Sequence, residues 1–260
     1  MPTPSDTVPP SPTVRSGREV LLVFGASLAA TVVLYRLRGV SFIGDNLHAL
    51  VGTVFLLLPI LVLQRRDEDF ARFGIAFGGL LGSGPRRPGV LGLVQDLVTL
   101  TWRHRRRILG DFAFALAVAC VVFPPFAVGF RFWQQPTRPF AFVPPAGFWG
   151  VAFAQFVVVG LPEELFYRGY VQTRLRDVFP RTVHVLGADV SPLSLLGTSA
   201  LFALGHFLVD LQPARLAVFF PSFLFGWMRE RRGTIGASAL FHAMCNVVAD
   251  ILTIGYFGAR

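Results

Sequence analysis

Two adjacent carboxylates, Glu163 and Glu164, interrupt an otherwise apolar stretch where a membrane-spanning helix would present hydrocarbon. A charge at bilayer depth costs a few kcal/mol or more, so such residues are functional candidates by default. On a helix, Glu164 and Arg168 lie one turn apart and can pair. Glu163 projects about 100° away from Glu164 and has no local partner, so one glutamate is held and the other is free. Two later apolar stretches add His206, in Phe202-Ala-Leu-Gly-His206, and His242-Ala-Met-Cys-Asn246. His242 and Asn246 are four residues apart and share a helix face. A carboxylate beside a histidine can orient a water and accept its proton. A second histidine with an asparagine at i+4 offers two donors toward one point. That suits the oxyanion formed when water attacks an amide carbonyl. No serine or cysteine stands beside these residues as a nucleophile, and Cys245 lies about 100° off the Asn246 face. Direct attack by water is the economical chemistry.

Such side chains need a bundle to bring them together. The chain has 260 residues, 53% of them apolar and 15% charged, with a mean hydropathy of +0.58. Several apolar runs approach the length that crosses a bilayer. The fold class expected is all-α, a polytopic transmembrane helical bundle of about seven spans. These cover residues 20–35, 50–64, 111–132, 148–177, 193–209, 216–228 and 235–257. The fourth runs unbroken through the glutamates, and the third carries Pro124-Pro125, which implies a kink. Measured from the cytoplasmic helix ends, Glu163 and His206 lie about 20 Å deep and Asn246 about 18 Å, with His242 one turn nearer the cytoplasm. The four can therefore meet at one level.

All 24 basic residues are arginine, and the net charge is +9. Nine arginines fall in residues 65–110, between spans 2 and 3, around amphipathic segments at 73–81 and 90–100. These segments are read as interfacial helices on the membrane surface. The arginines cluster beside apolar spans, so topology and anionic lipid account for them and nucleic acid is not an expected partner. The positive-inside rule places this loop and the N-terminus in the cytoplasm of a multi-pass protein of the cytoplasmic membrane. Residues 1–18 read as a disordered Pro/Ser/Thr-rich tail. Residues 19–146 hold the N-terminal helices and the Arg-rich loop, and 147–257 the candidate protease core. Cys120 and Cys245 read as buried small apolar residues. His48, His104 and His184 read as solvated. Asp210 and Asp250, each one turn beyond a motif residue, read either as supports of the site or as loop-end charges. The Gly-rich residues 77–84 lack the lysine of a phosphate-binding loop.

The pattern resembles the CPBP intramembrane proteases, which include the CAAX prenyl endopeptidases of the Rce1 type and the bacterial Abi proteins. Glu163-Glu164-Leu-Phe-Tyr-Arg168 resembles the family's Glu-Glu-x-x-x-Arg motif, and Phe202 to His206 its Phe-x-x-x-His motif. Gly226-Trp227, the charged turn before Thr234, and His242 to Asn246 resemble its third element. The likeness covers residues 148–249. It implies an intramembrane endopeptidase that cuts near the C-terminus of a membrane-anchored protein or peptide. Glu163 would activate water with help from His206, His242 and Asn246 would form the oxyanion site, and Glu164 with Arg168 would brace the helix. The aromatic loop before Leu161-Pro162-Glu163 is similar to a bacterial subgroup, the myxosortases, which process C-terminal membrane-anchoring signals. Prenylated substrates are not expected in most bacteria, so the resemblance implies the activity class rather than the substrate.

Metal is a separate question. Glu163, His206 and His242 could hold a divalent ion such as zinc with water as the last ligand. The His-Glu-x-x-His arrangement of zinc peptidases is absent, and a cofactor-free glutamate mechanism is favoured. Read without the resemblance, the same residues also suit a non-enzymatic scaffold or immunity protein. They suit an ion-coupled transporter less well, because paired discontinuous helices in two halves are lacking. The orientation is testable with fusions. A reporter placed after Arg106 is expected to report cytoplasm and one after Arg138 the outside; the reverse pattern would overturn the assigned depths.

Overall fold

The computed structural model describes residues 12–75 and 89–258. Seven main helices account for most of them: α1 Pro12–Arg36, α2 Leu47–Arg65, α3 Gly89–Gln134, α4 Phe148–Val178, α5 Pro192–Asp210, α6 Phe219–Arg232 and α7 Gly236–Phe257. Among the described residues, six of these are long and apolar enough to cross a membrane, and α6 is not one of them. The chain is a multi-pass all-α membrane protein. The stretch expected as the sixth span, 216–228, forms a helix too short to cross. With 14 residues, α6 reaches about 21 Å, against about 30 Å of hydrocarbon. A 3-10 turn at Pro213–Val218 precedes it. Together they run back from the Asp210 end of α5 to the arginines at 229–232.

Local signals explain the boundaries. The Ser191 side chain accepts from the Ser194 N–H, and Pro192 occupies the first turn of α5. Gly233 closes α6 with a φ of 69°, a left-handed conformation that favours glycine. A two-stranded antiparallel hairpin, β1 Val183–Val185 and β2 Ala188–Val190, joins α4 to α5. Trp227 donates its indole N–H to the Val185 carbonyl, which ties the hairpin to α6. This hairpin lies between the stretches expected as the fourth and fifth spans.

The region between α2 and α3 departs from expectation. Residues 89–110 are not a separate surface helix; they continue into the third span as one 46-residue helix. Nothing between Gly89 and Pro124 breaks that helix, and Pro124 and Pro125 are accommodated inside it. Of the earlier amphipathic segment, 73–81, residues 73–75 are described, at the end of a 3-10 turn at Phe70–Phe73. Its remainder, the Gly-rich stretch and residues 1–11 of the expected tail lie outside the described residues, whereas residues 12–18, expected to be disordered, form the first turns of α1. Cys120 is exposed on α3 rather than buried, and Cys245 is partly buried.

Two apolar clusters hold the bundle together. One joins Val20 and Phe24 of α1 and Phe55 and Leu63 of α2 to Phe166, Tyr170 and Phe202 of α4 and α5. The other joins α3, α6 and α7 through Ala115, Phe225, Met228 and Phe241. The arginine-rich end is clasped by polar ties. Glu19 accepts from the Tyr170 hydroxyl and from Arg174 Nε and also pairs with Arg66. Arg174 reaches Glu68 at 2.6 Å, Arg229 reaches the Thr173 hydroxyl at 2.8 Å, and Arg232 reaches Asp111 at 2.7 Å. The arginines of this end thus lock helix ends to one another.

Candidate active site

Glu163 and Glu164 lie midway along α4, which is one unbroken helix containing two π-helical stretches, Gln155–Gly160 and Leu165–Val171. Such wide turns recur at functional sites because they re-aim the residues around them. Two glycines let neighbours close in on this part of α4. A Cβ at Gly52 of α2 would stand 2.6 Å from the Val158 carbonyl, and one at Gly160 would stand 2.8 Å from the Ala239 carbonyl of α7.

Glu164 is fully buried and pairs with Arg168, also fully buried, at 3.0 Å. Arg168 donates to the Ser222 hydroxyl of α6 at 2.8 Å. Its guanidinium lies 4.4 Å from the Phe202 ring centre and 5.0 Å from that of Phe225. Aromatic faces stabilise a desolvated cation in this way. The same carboxylate oxygen, Glu164 Oε1, also ties to α7, where His242 Nδ1 lies 3.1 Å from it. The His242 ring stacks on Phe225 with centres 4.9 Å apart.

Glu163 faces elsewhere. Its Oε2 is buried without a hydrogen-bond partner and points between two imidazoles. His206 Nε2 is 3.8 Å away and His242 Nε2 is 3.9 Å away. His206 Nδ1 is 2.9 Å from the Phe202 carbonyl, an acceptor, so this nitrogen carries the proton. Glu164 does the same for Nδ1 of His242. In their neutral forms both rings therefore turn an unprotonated Nε2 toward Glu163. Asn246, one turn along α7 from His242, donates its amide N–H to Gln155 Oε1 at 2.8 Å. Glu163, His206, His242 and Asn246 line one cavity of about 330 Å³, with Gln155 beside them.

All four residues picked out as catalytic candidates thus meet, and Glu164 with Arg168 forms the expected brace. The sequence reading missed three participants. Ser222 and Phe225 are supplied by α6, with no spacing relation to Arg168. Gln155 sits on α4 at the start of a π stretch, two turns before Glu163, where α-helical spacing gives no reason to link it to Asn246. A polar residue within the apolar run 148–160 was the one available signal. Asp210, at the end of α5, pairs with Arg215 at 3.1 Å, and both line the cavity. His184 is exposed and pairs with Asp189.

No group of three or more His, Cys, Asp or Glu side chains among the described residues is placed to hold a metal ion.

Residues 145–248 match the family model of the type II CAAX prenyl endopeptidase, Rce1-like. This region is similar to the Rce1-like family of CAAX-type proteases. No curated protein and no solved structure matches the chain. The Rce1-like region contains every candidate residue named above. The cavity extends beyond it, since Phe24, Thr31, Val51 and Phe55 of α1 and α2 form one wall. The N-terminal helices therefore complete the pocket of the Rce1-like core.

The brace has a measurable consequence. Arg168→Ala leaves Glu164 buried without its cation, which costs about 3–5 kcal/mol where such pairs are broken. A clear fall in thermal midpoint and in membrane abundance is expected, with Arg168→Lys recovering part of it. An unchanged midpoint would show that the pair is not structural.

Proposed function

We propose that this protein is an intramembrane endopeptidase that hydrolyses a peptide bond near the C-terminus of a membrane-anchored substrate, using water activated by Glu163 and His206. The observation that carries the reading is the Glu163 carboxylate oxygen, buried and unpartnered beside two imidazole nitrogens. Separations of 3.8 and 3.9 Å are too long for direct hydrogen bonds and suit a bridging water. Such a water donates one hydrogen to Glu163 and the other to His206 Nε2, which leaves a lone pair for attack. As its oxygen bonds to the substrate carbonyl carbon, its proton passes to Glu163. The carbonyl electrons move to oxygen, and the oxyanion accepts hydrogen bonds from His242 and Asn246. His242 donates from Nε2 as an imidazolium, whose charge offsets that of the oxyanion while its Nδ1–H stays bonded to Glu164. The tetrahedral species collapses when Glu163 returns the proton to the leaving nitrogen and the C–N bond breaks.

Gln155 has a supporting part. By accepting from Asn246, it fixes the amide so that one N–H remains available to the oxyanion. The protein is proposed to lie in the cytoplasmic membrane with its N-terminus and arginine-rich face in the cytoplasm.

The direct test is to compare the C-terminal peptides of membrane proteins in cells with and without this protein. New substrate ends that vanish with the gene support the reading; identical end sets refute it. With a substrate so identified, protein purified in detergent is expected to remain active after exhaustive chelation. Asn246→Ala is expected to reduce kcat by about a hundredfold, as loss of one oxyanion donor does elsewhere, with a smaller change in KM. Activity lost with chelator and restored by zinc would instead make Glu163, His206 and His242 ligands of an ion acting as Lewis acid.

A further inference from the structure

The cavity has a direction. Along α1 its lining runs from Phe24 to Tyr35, near the end of the helix, and along α2 from Phe55 back to Leu47, the first residue. On α4 it runs from Tyr167 toward Gln155, and on α5 from Gly205 to Asp210, the last residue. Arg215 completes the rim. Every one of these series ends on the same face of the bundle. No lining residue comes from the clasped end, where Glu19 pairs with Arg174 and Glu230 with Arg176.

The two faces differ in arginine. The connections on the mouth side and the neighbouring helix ends carry Arg36, Arg38, Arg131, Arg138 and Arg215. The opposite side carries Arg18, Arg65, Arg66 and Arg72, Arg103 and Arg105 to Arg107, Arg174, Arg176 and Arg181, and Arg229, Arg231 and Arg232. Arginine excess within a few residues of span ends marks the cytoplasmic side. The mouth is therefore the extracytoplasmic end of the cavity. Below the rim the walls are largely apolar, with Leu28, Val51, Phe55, Val158 and Val209 facing the space above Glu163.

We infer that the site is loaded from the extracytoplasmic face, and that its substrate is an apolar segment at the outer end of a protein's membrane anchor. This deepens the endopeptidase reading and rests on it. A scissile bond in such a segment enters past Tyr35, His48 and Arg215 and descends about half the bilayer to Glu163, while its anchor stays in the membrane. A cytoplasmic tail would have to pass the clasp of buried ion pairs.

Two measurements test this. In a cysteine-free background, His48→Cys at the mouth and Leu186→Cys at the exposed hairpin tip are treated with a membrane-impermeant maleimide. His48→Cys is expected to label in intact spheroplasts, and Leu186→Cys only in inverted vesicles. The opposite pattern overturns the inference whatever the enzyme does. Terminal proteomics of cells expressing wild type or Glu163→Gln then locates the cut. Glu163-dependent ends on outer flanks of membrane anchors support the substrate class. Ends in cytoplasmic tails overturn it and leave the endopeptidase reading intact. The absence of any Glu163-dependent end refutes the endopeptidase reading, and the substrate class falls with it.

Discussion

Arg168 and Glu164 form an ion pair with no exposed surface on either side chain, at the middle of a membrane-spanning helix. Neither charge could be placed there alone, because desolvation would cost several kcal/mol per ion. The pair therefore recruits its surroundings. Ser222 takes a guanidinium hydrogen, Phe202 and Phe225 cover its faces, and His242 gives the carboxylate a second partner. Those contacts join α4 to α5, α6 and α7. They also fix the two histidine rings, since Phe202 lies against His206 and Phe225 stacks on His242. The brace thus builds the site around the other glutamate, whose carboxylate it leaves unengaged.

Much of this was legible in the residues, for a specific reason. A helix face is computed from spacing, so Glu164–Arg168 and His242–Asn246 could be paired on paper, and Glu163 recognised as the odd one out. Depth along a helix is equally countable, which is why residues on three spans were expected at one level. Contacts between elements are another matter. Ser222 and Phe225 are ordinary residues of an apolar run until α6 packs on Arg168. Gln155 reaches Asn246 through a stretch of helix that is π-wound, and the spacing rules assume it is not. The 46-residue α3 escaped for a related reason. Its arginines suggested a boundary, whereas arginine is a good helix former and interrupts nothing. Nor could spacing show that α1 and α2, outside the Rce1-like region, supply a wall of the cavity.

The architecture separates strength from access. Polar clasps gather at the arginine-rich end, where Arg174, Arg229 and Arg232 hold helix ends together. The other end is where the helices part around the cavity. A protease within a membrane needs water at the scissile bond and little elsewhere. A pocket closed at one end by ion pairs and open at the other meets that need, with Glu163 at its floor.

The division of labour between the two glutamates is the centre of this account. It is tested most directly by purifying Glu163→Gln and Glu164→Gln side by side and recording thermal midpoint and substrate cleavage on the same samples. The account predicts that Glu163→Gln keeps the wild-type midpoint and loses cleavage, whereas Glu164→Gln lowers the midpoint because Arg168 is left uncompensated. Retained cleavage in Glu163→Gln, or an equal loss of midpoint in both variants, would contradict it.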